Sequence, residues 1–420
     1  MTGAPTGRLG ALAEPQFRLL WIGQTASAAG DALIPVAVAF AVLGIGGTAT
    51  DLGIVFAAFT VAHVALVLAG GVMADRLPRQ LVMVACDVVR CVAEVVLAVL
   101  LLTHAAQVWH LAVGAAVIGG ASAFFLPASG GLIPQTVSAG RLQQANALMS
   151  LSRSATGIFG PPVAGLLIVT TGIGVIFLVD AATFVVSAVS LLMLRLAPTE
   201  ARRSEQHFLA DLAAGWREVV SRRWILAAIC AFALSNMAGS AFFILGAVIA
   251  NTKLGGAPAW GFILTGGAIG GLIGGLLALR LRPKRPLLVG FVLTSMEALP
   301  LLALVGPLPI VVIAMASLAS VAGQQLTNTW WFTMLQQHVP EHARSRVSSY
   351  DWLVSLIFQP LGSLLAGPLS AVSLPFTLIG AAGVAIVANL GVLLVRDVRD
   401  VRWVGDEQAS TPAETEGFPS

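Results

Sequence analysis

Ionisable side chains inside long apolar runs are where this sequence could do chemistry. Asp87, Arg90 and Glu94 fall in the run LVMVACDVVRCVAEVVLAVLLL. Their spacing of i, i+3 and i+7 places them on one helical face. Two acids around one arginine leave one negative charge if all are ionised. Such a stripe is either an internal ion pair closing one side of a bundle or part of a path for protons or cations. Asp31 lies about 14 residues into the run 17–43, roughly 20 Å deep at ~1.5 Å per residue. It is a candidate proton carrier, or a packing carboxylate bonded to a neighbouring helix. Asp180, in the run 173–195, and Glu297, in 286–305, are further coupling candidates with helix packing as the plainer reading. Arg153, in 145–170, is expected to pair with these acids or to contact an anion. Each such residue costs about 2.5–3.5 kcal/mol to insert in a membrane, so each is a functional hypothesis by default. Asn236, Gln324, Gln325 and Asn328 are uncharged candidates for lining a polar cavity. His63 is a further candidate, although a packing role is the plainer expectation.

Other chemistries find little support. HVPEH, His338 to His342, matches a zinc-protease pattern, but Pro340 interrupts the regular helix that two ligands on one face require. No glycine-rich phosphate loop of an ATP-driven pump is present. Cys86, Cys91 and Cys230 lie in apolar runs and read as buried thiols, not a disulfide framework. The formal net charge of +3 is spread over short loops, unlike a nucleic-acid patch. Neither an enzyme, a metal site nor a cofactor is expected.

These residues need helices to hold them. The chain is 57% hydrophobic and 10% charged, with a mean hydropathy of +0.90. A soluble domain is about 25% charged, and a spanning helix takes about 20 apolar residues. The sequence predicts an all-α multi-pass membrane protein of twelve spans: 17–43, 51–74, 81–103, 108–131, 145–170, 173–195, 223–250, 258–279, 286–305, 308–333, 347–370 and 374–395. Arg76, Arg79, Arg141, the arginines of the loop 196–222, Arg280 to Arg285, Arg344, Arg346 and Arg396 to Arg402 fall on one side of this map. The positive-inside rule then puts both termini in the cytoplasm. The organisation expected is a first half 1–195, a linker 196–222, a second half 223–396 and a disordered tail 397–420. In the linker, Phe208, Leu212, Trp216, Val219 and Val220 follow helical spacing, as in an amphipathic helix on the membrane surface.

The halves echo each other. Gly71-Val-Met-Ala-Asp75-Arg76-Leu77 aligns with Gly275-Leu-Leu-Ala-Leu279-Arg280-Leu281, and 132–151 aligns loosely with 334–353. Two homologous six-helix halves with a site between them are the plan of secondary transporters. GGVMADRLPR resembles motif A of the major facilitator superfamily, with Pro78 at the usual glycine. The stretch GLIPQTVSAGRLQQANALMSLSRSATGIFGPPVAGLL, together with Asp87-x-x-Arg90 and DLAAGW, resembles the drug:proton antiporter branch that includes macrolide efflux and enterobactin export proteins.

That resemblance implies a major facilitator fold and a conformational latch formed by Gly71, Asp75, Arg76 and Arg79. Asp75 would sit near the start of span eleven, around Ser348 to Asp351. Gly157, Gly160, Pro161, Pro162 and Gly165 resemble motif C, associated with antiporters, where small residues and proline permit close approach and a bend. The expected function is proton-driven export of an amphipathic small molecule by a monomer in a bacterial plasma membrane. Nutrient symport and a non-transporting receptor are the alternatives.

Overall fold

The computed structural model describes residues 10–196 and 216–404. Twelve spanning helices follow one another. Span one is Pro15–Asp31 and Ile34–Gly44; span two Ala49–Arg76; span three Arg79–Leu102; span four Val108–Gly130; span five Leu142–Thr171; span six Ile173–Leu192. Span seven is Arg223–Ile249; span eight Ala257–Ala278; span nine Pro286–Thr294 and Ala298–Val305; span ten Ile310–His338; span eleven Glu341–Ile357 and Gln359–Val372; span twelve Leu374–Gly391. Eleven of these, among the described residues, are long and apolar enough to cross a membrane. Span three is the other, and its charge is the residue set Asp87, Arg90 and Glu94.

Proline explains both the stops and the breaks. Leu77, before Pro78, is extended at φ −112° and ψ 155°, because the residue before proline avoids the helical region. Span two therefore ends and span three starts. The same device at Val339 and Pro340 divides span ten from span eleven. His338 and Glu341 thus belong to two helices, and among the described residues no cluster could hold a metal ion. Three spans are interrupted where apolar periodicity showed nothing. Span one breaks at Ala32 and Leu33, span nine at the tight turn Ser295–Glu297, and span eleven at Phe358. Pro35, Pro300 and Pro360 each lie just beyond the break. Each lacks the N–H that would bond the carbonyl four residues earlier, which is Asp31 in span one.

Packing repeats with a period of six spans. Two packs on four, three on six, one on six, three on four and one on five; eight on ten, nine on twelve, seven on twelve, nine on ten and seven on eleven do the same. The halves meet through five against eight and two against eleven. Glycines make the five–eight contact close. A Cβ on Gly165 would strike the Ala257 carbonyl, and one on Gly261 the Pro161 carbonyl. Gly160 rests on Ala32 at the break in span one, whereas Gly157 faces open space. Span five continues unbroken through Pro161 and Pro162, and of these residues Gly165 and Pro161 lie at the seam between the halves.

The apolar core shows where the seam is tight. At the end away from the termini, one buried cluster joins both halves, from Val36, Phe40 and Leu52 to Leu245, Trp260 and Leu304. At the end bearing the termini, each half has its own clusters, around Phe291 and Trp331 in one and around Met83 and Phe17 in the other. At that end Glu14 accepts hydrogen bonds from the Ser138 backbone N–H and hydroxyl at 2.9 and 2.7 Å. Chiefly the Ser138 hydroxyl, then the Ser138 backbone N–H and nearby Arg141, hold its carboxyl below the ordinary value of 4.5.

Two expectations about the connecting segments change. Residues 216–221 are helical, with Val219 buried in the second-half core and Trp216 tilted against Tyr350 at 5.5 Å. Phe208 and Leu212 lie outside the described residues. The chain after 396 is not a free tail at its start: Val398 is buried and the Trp403 indole donates to the Pro283 carbonyl at 2.8 Å. Apolar side chains at 398, 401 and 403, spaced to face one surface, carry this ordering past the last span.

Candidate functional site

A cavity of about 570 Å³ lies between the halves. That is within the ~300–1,000 Å³ typical of small-molecule sites. Spans one, two, three, four and six line it from one side and spans seven and eleven from the other. Its wall is mostly apolar, with Phe56, Phe59, Phe177 and Phe243 supplying aromatic surface. Into this wall project Asp31, Glu94 and Asp180. Three acids from three helices, far apart in sequence, thus face one space.

The break in span one places Asp31. It ends the first segment, and its side chain is 49% exposed, toward the cavity. Pro35 leaves its backbone carbonyl without the usual helical donor. The Ser27 hydroxyl, one turn back, is 3.5 Å from its carboxylate. Asp180 sits against Gly30, where any side chain would overlap its carboxylate and the Thr183 hydroxyl. Glycine is needed there for spans one and six to approach. Thr183 donates to Asp180 at 3.2 Å. Glu94 is fully buried, and neither of its oxygens has a hydrogen-bond partner in the protein.

Arg90 joins the group from behind. Its guanidinium is 2.5 Å from Asp87 and 3.7 Å from Asp31. It also lies 4.3 Å from the Phe125 ring centroid and 4.2 Å from that of Phe184. A cation over aromatic faces gains about 0.5–2 kcal/mol, most when desolvated. Arg90 is 3% exposed and Asp87 wholly buried, so the pair is fixed inside the first half. One guanidinium therefore contacts two of the four carboxyl groups, Asp87 and Asp31. Phe125 and Phe184 were not foreseen. Phe184 follows Asp180 by four residues, a spacing that puts both on one helical face, and that signal was available.

Several expected cavity residues lie elsewhere. Asn236 donates to the Ser355 carbonyl at 2.8 Å and tethers span seven to span eleven. Gln324, Gln325 and Asn328 sit on span ten and do not line the cavity. Thr60, Ser122, Ser240, Gln359 and Ser363 supply the polar lining instead. Periodicity alone could not separate the two sets, because both are isolated polar residues in apolar helices. His63 does line the cavity; its Nδ1 is 3.2 Å from the Gly119 carbonyl, as in the Nδ1–H tautomer. Glu297 is buried in the second half against Gly239 of span seven, away from the cavity. Arg153 pairs with none of the acids. Of the motif A residues, the surroundings of Gly71 and the side chains of Asp75 and Arg76 lie outside what the structure describes. Arg79 donates to the Gly131 carbonyl at 2.9 Å, tying the start of span three to the end of span four.

Comparison with known proteins decides the family. A family model described as Major Facilitator Superfamily matches residues 20–366. The chain belongs to the Major Facilitator Superfamily. This superfamily member is 28% identical to the multidrug efflux pump Tap of Mycolicibacterium fortuitum over 399 residues, covering 88% of this chain and 95% of Tap. It is 26% identical to the enterobactin exporter EntS of Escherichia coli over 274 residues, 64% of each chain. Among solved structures, a bacterial homologue of the human lysosomal transporter Spinster superposes with a TM-score of 0.73 at 15% identity, covering 93% of this chain and 98% of that one. A bacterial homologue of the iron transporter ferroportin gives 0.71 at 20% identity, covering 90% and 98%. These establish the fold of a superfamily transporter with twelve helices in two six-helix halves.

Proposed function

We propose that this transporter exports an amphipathic small molecule carrying a cationic group, driven by inward proton flow across a bacterial plasma membrane. The observation that carries the reading is the unequal charge of the cavity: Asp31, Glu94 and Asp180 face it, while Arg90 is already held by Asp87. An excess of carboxyl groups in a low-dielectric wall is met by bound protons or by a cation on the substrate. Competition between the two at one site is the minimal device for exchange. The four phenylalanines would take up the apolar body. The similarity to Tap and EntS supports export as the direction.

With the arginine-rich loops in the cytoplasm, both termini are cytoplasmic and the tight seam faces outward. The structure then corresponds to an inward-facing state, ready to load substrate. Rocking of residues 1–195 against 223–396 about the five–eight and two–eleven contacts would expose the cavity to the other side. In this scheme Asp75, with Gly71, Arg76 and Arg79, forms the latch between spans two and eleven, and one chain suffices for transport.

The test is accumulation of a panel of cationic dyes, macrolides and siderophores in an efflux-deficient bacterium, with and without a protonophore. Lower accumulation of the cationic compounds, abolished by the protonophore, is the expected result. Raised accumulation would reverse the direction to symport. Export that ignores the protonophore would remove proton coupling.

A further inference from the structure

Arg153 is a membrane arginine with no role in the acidic cluster. It is the twelfth residue of span five and lies well inside the helix. Its guanidinium makes no ion pair or hydrogen bond among the described residues, and its side chain is exposed. It lines a separate cavity of about 140 Å³ with Leu20 and Gln24 of span one, Ser129 of span four and Met149 of span five. Gln24 is only 8% exposed, yet its side-chain nitrogen has no acceptor. A buried amide donor left unpaired costs about 1–3 kcal/mol. Two side chains with unused N–H donors, one cationic, therefore line one small space. The Ser129 hydroxyl donates to the Leu126 carbonyl at 2.9 Å, which leaves its oxygen free only to accept. No carboxylate lines the space.

We infer that Arg153 and Gln24 form a binding site for a small anionic group, a carboxylate or a phosphate. Arginine presents paired N–H groups that match two oxygens of such an anion. The Gln24 amide supplies a third donor from span one. The volume is well below the ~300–1,000 Å³ of a drug-sized pocket, so the site takes a few heavy atoms and not a whole substrate. The Trp21 indole donates to the Ser152 hydroxyl at 2.9 Å. That bond locks span one to span five beside Arg153, so the two donors are held at a set spacing before any anion arrives.

The anion has two sources: a soluble or substrate-borne group, or the phosphate of a membrane lipid. Gln24 precedes Asp31 by seven residues, hence about 10 Å along the same face of span one. An amphoteric substrate of that length could touch both.

The test is binding by the full-length protein in nanodiscs, which reads occupancy without transport and so fails or succeeds independently of the export reading. In phosphatidylcholine nanodiscs, inorganic phosphate and benzoate are titrated while the melting temperature is followed. The expected result is stabilisation of the wild type by either anion. Arg153→Gln loses it, Arg153→Lys keeps part of it, and Gln24→Leu weakens binding about tenfold, the worth of a hydrogen bond to a charged partner. Phosphatidylglycerol nanodiscs separate the sources. A raised starting melting temperature that is lost in Arg153→Gln, with no further response to phosphate, assigns the site to lipid. An unchanged response to phosphate assigns it to a soluble group. Stabilisation by no anion in either disc, or equal stabilisation of wild type and Arg153→Gln, overturns the site.

Discussion

Spans one, three and six of the first half and spans seven, nine and twelve of the second occupy equivalent places in the repeated packing, yet they hold different chemistry. In the first half, Asp31, Asp87, Arg90, Glu94 and Asp180 gather, and three of the acids line the cavity, Asp31 with its side chain exposed and Glu94 and Asp180 buried in the wall. In the second, Glu297 is the acid, and it is buried away from the cavity. Its neighbourhood is completed by Asn389, whose amide donates to the Ser235 hydroxyl at 2.6 Å. Each half seats a carboxylate against a glycine, Asp180 on Gly30 and Glu297 on Gly239. The difference lies in span one and span seven. Span one breaks at Asp31 because of Pro35, whereas span seven runs unbroken from Arg223 to Ile249. At Asp31 the helix break presents the carboxylate to the cavity, whereas Glu297, at the turn in span nine, stays in the core against the continuous span seven. Fold symmetry therefore does not extend to the placement of charge.

Mutations at equivalent places would break or sharpen this contrast. The largest effect is expected at Arg90. Arg90→Ala leaves Asp87 buried without its partner, at a cost of about 3–5 kcal/mol. A lowered melting temperature and lost export should follow; a near-wild-type melt would mean that the pair is not what fixes the first half. Next is Asp31→Asn, which keeps shape and removes charge. Protonophore-sensitive export should fall about tenfold or more, as expected for a lost charged contact, with melting unchanged, whereas Glu297→Gln should keep its export. If Glu297→Gln abolished export in a well-folded protein, the two halves would share the coupling and the contrast would fail.

Smaller effects separate the glycines. Gly30→Ala displaces the Asp180 carboxylate and Gly239→Ala that of Glu297, each an overpacking of about 1–3 kcal/mol. Export per folded molecule should drop for Gly30→Ala alone. The smallest effect is at Glu14, outside the membrane. Its carboxyl is held below the unfolded value, so its contribution is present above that value and is lost as pH falls through the lower folded one. The melting difference between wild type and Glu14→Gln should therefore be measurable at neutral pH and vanish in acid. A difference that persisted in acid would show that Ser138 holds the side chain irrespective of its charge.

By itself the sequence determined the twelve spans, their grouping into repeated halves and the family. These depend on hydropathy, charge and local motifs, which are properties of contiguous residues. It also marked Asp31, Glu94 and Asp180 singly, because a charge in an apolar run is visible wherever it sits. Tertiary structure alone decided that these three share a cavity with Arg90 behind them, that Glu297 and Arg153 stand apart, and that Gln359 and Ser363 line the site while Gln324 and Asn328 do not. A helix of period 3.6 shows which residues share its own face, but not which neighbour that face meets. The break at Asp31 lay between the two levels: Pro35 was in plain view, but a proline can kink, break or leave a helix continuous, as Pro161 does in span five. Which of these happens depends on what packs around the freed carbonyl, and that is set by the whole bundle.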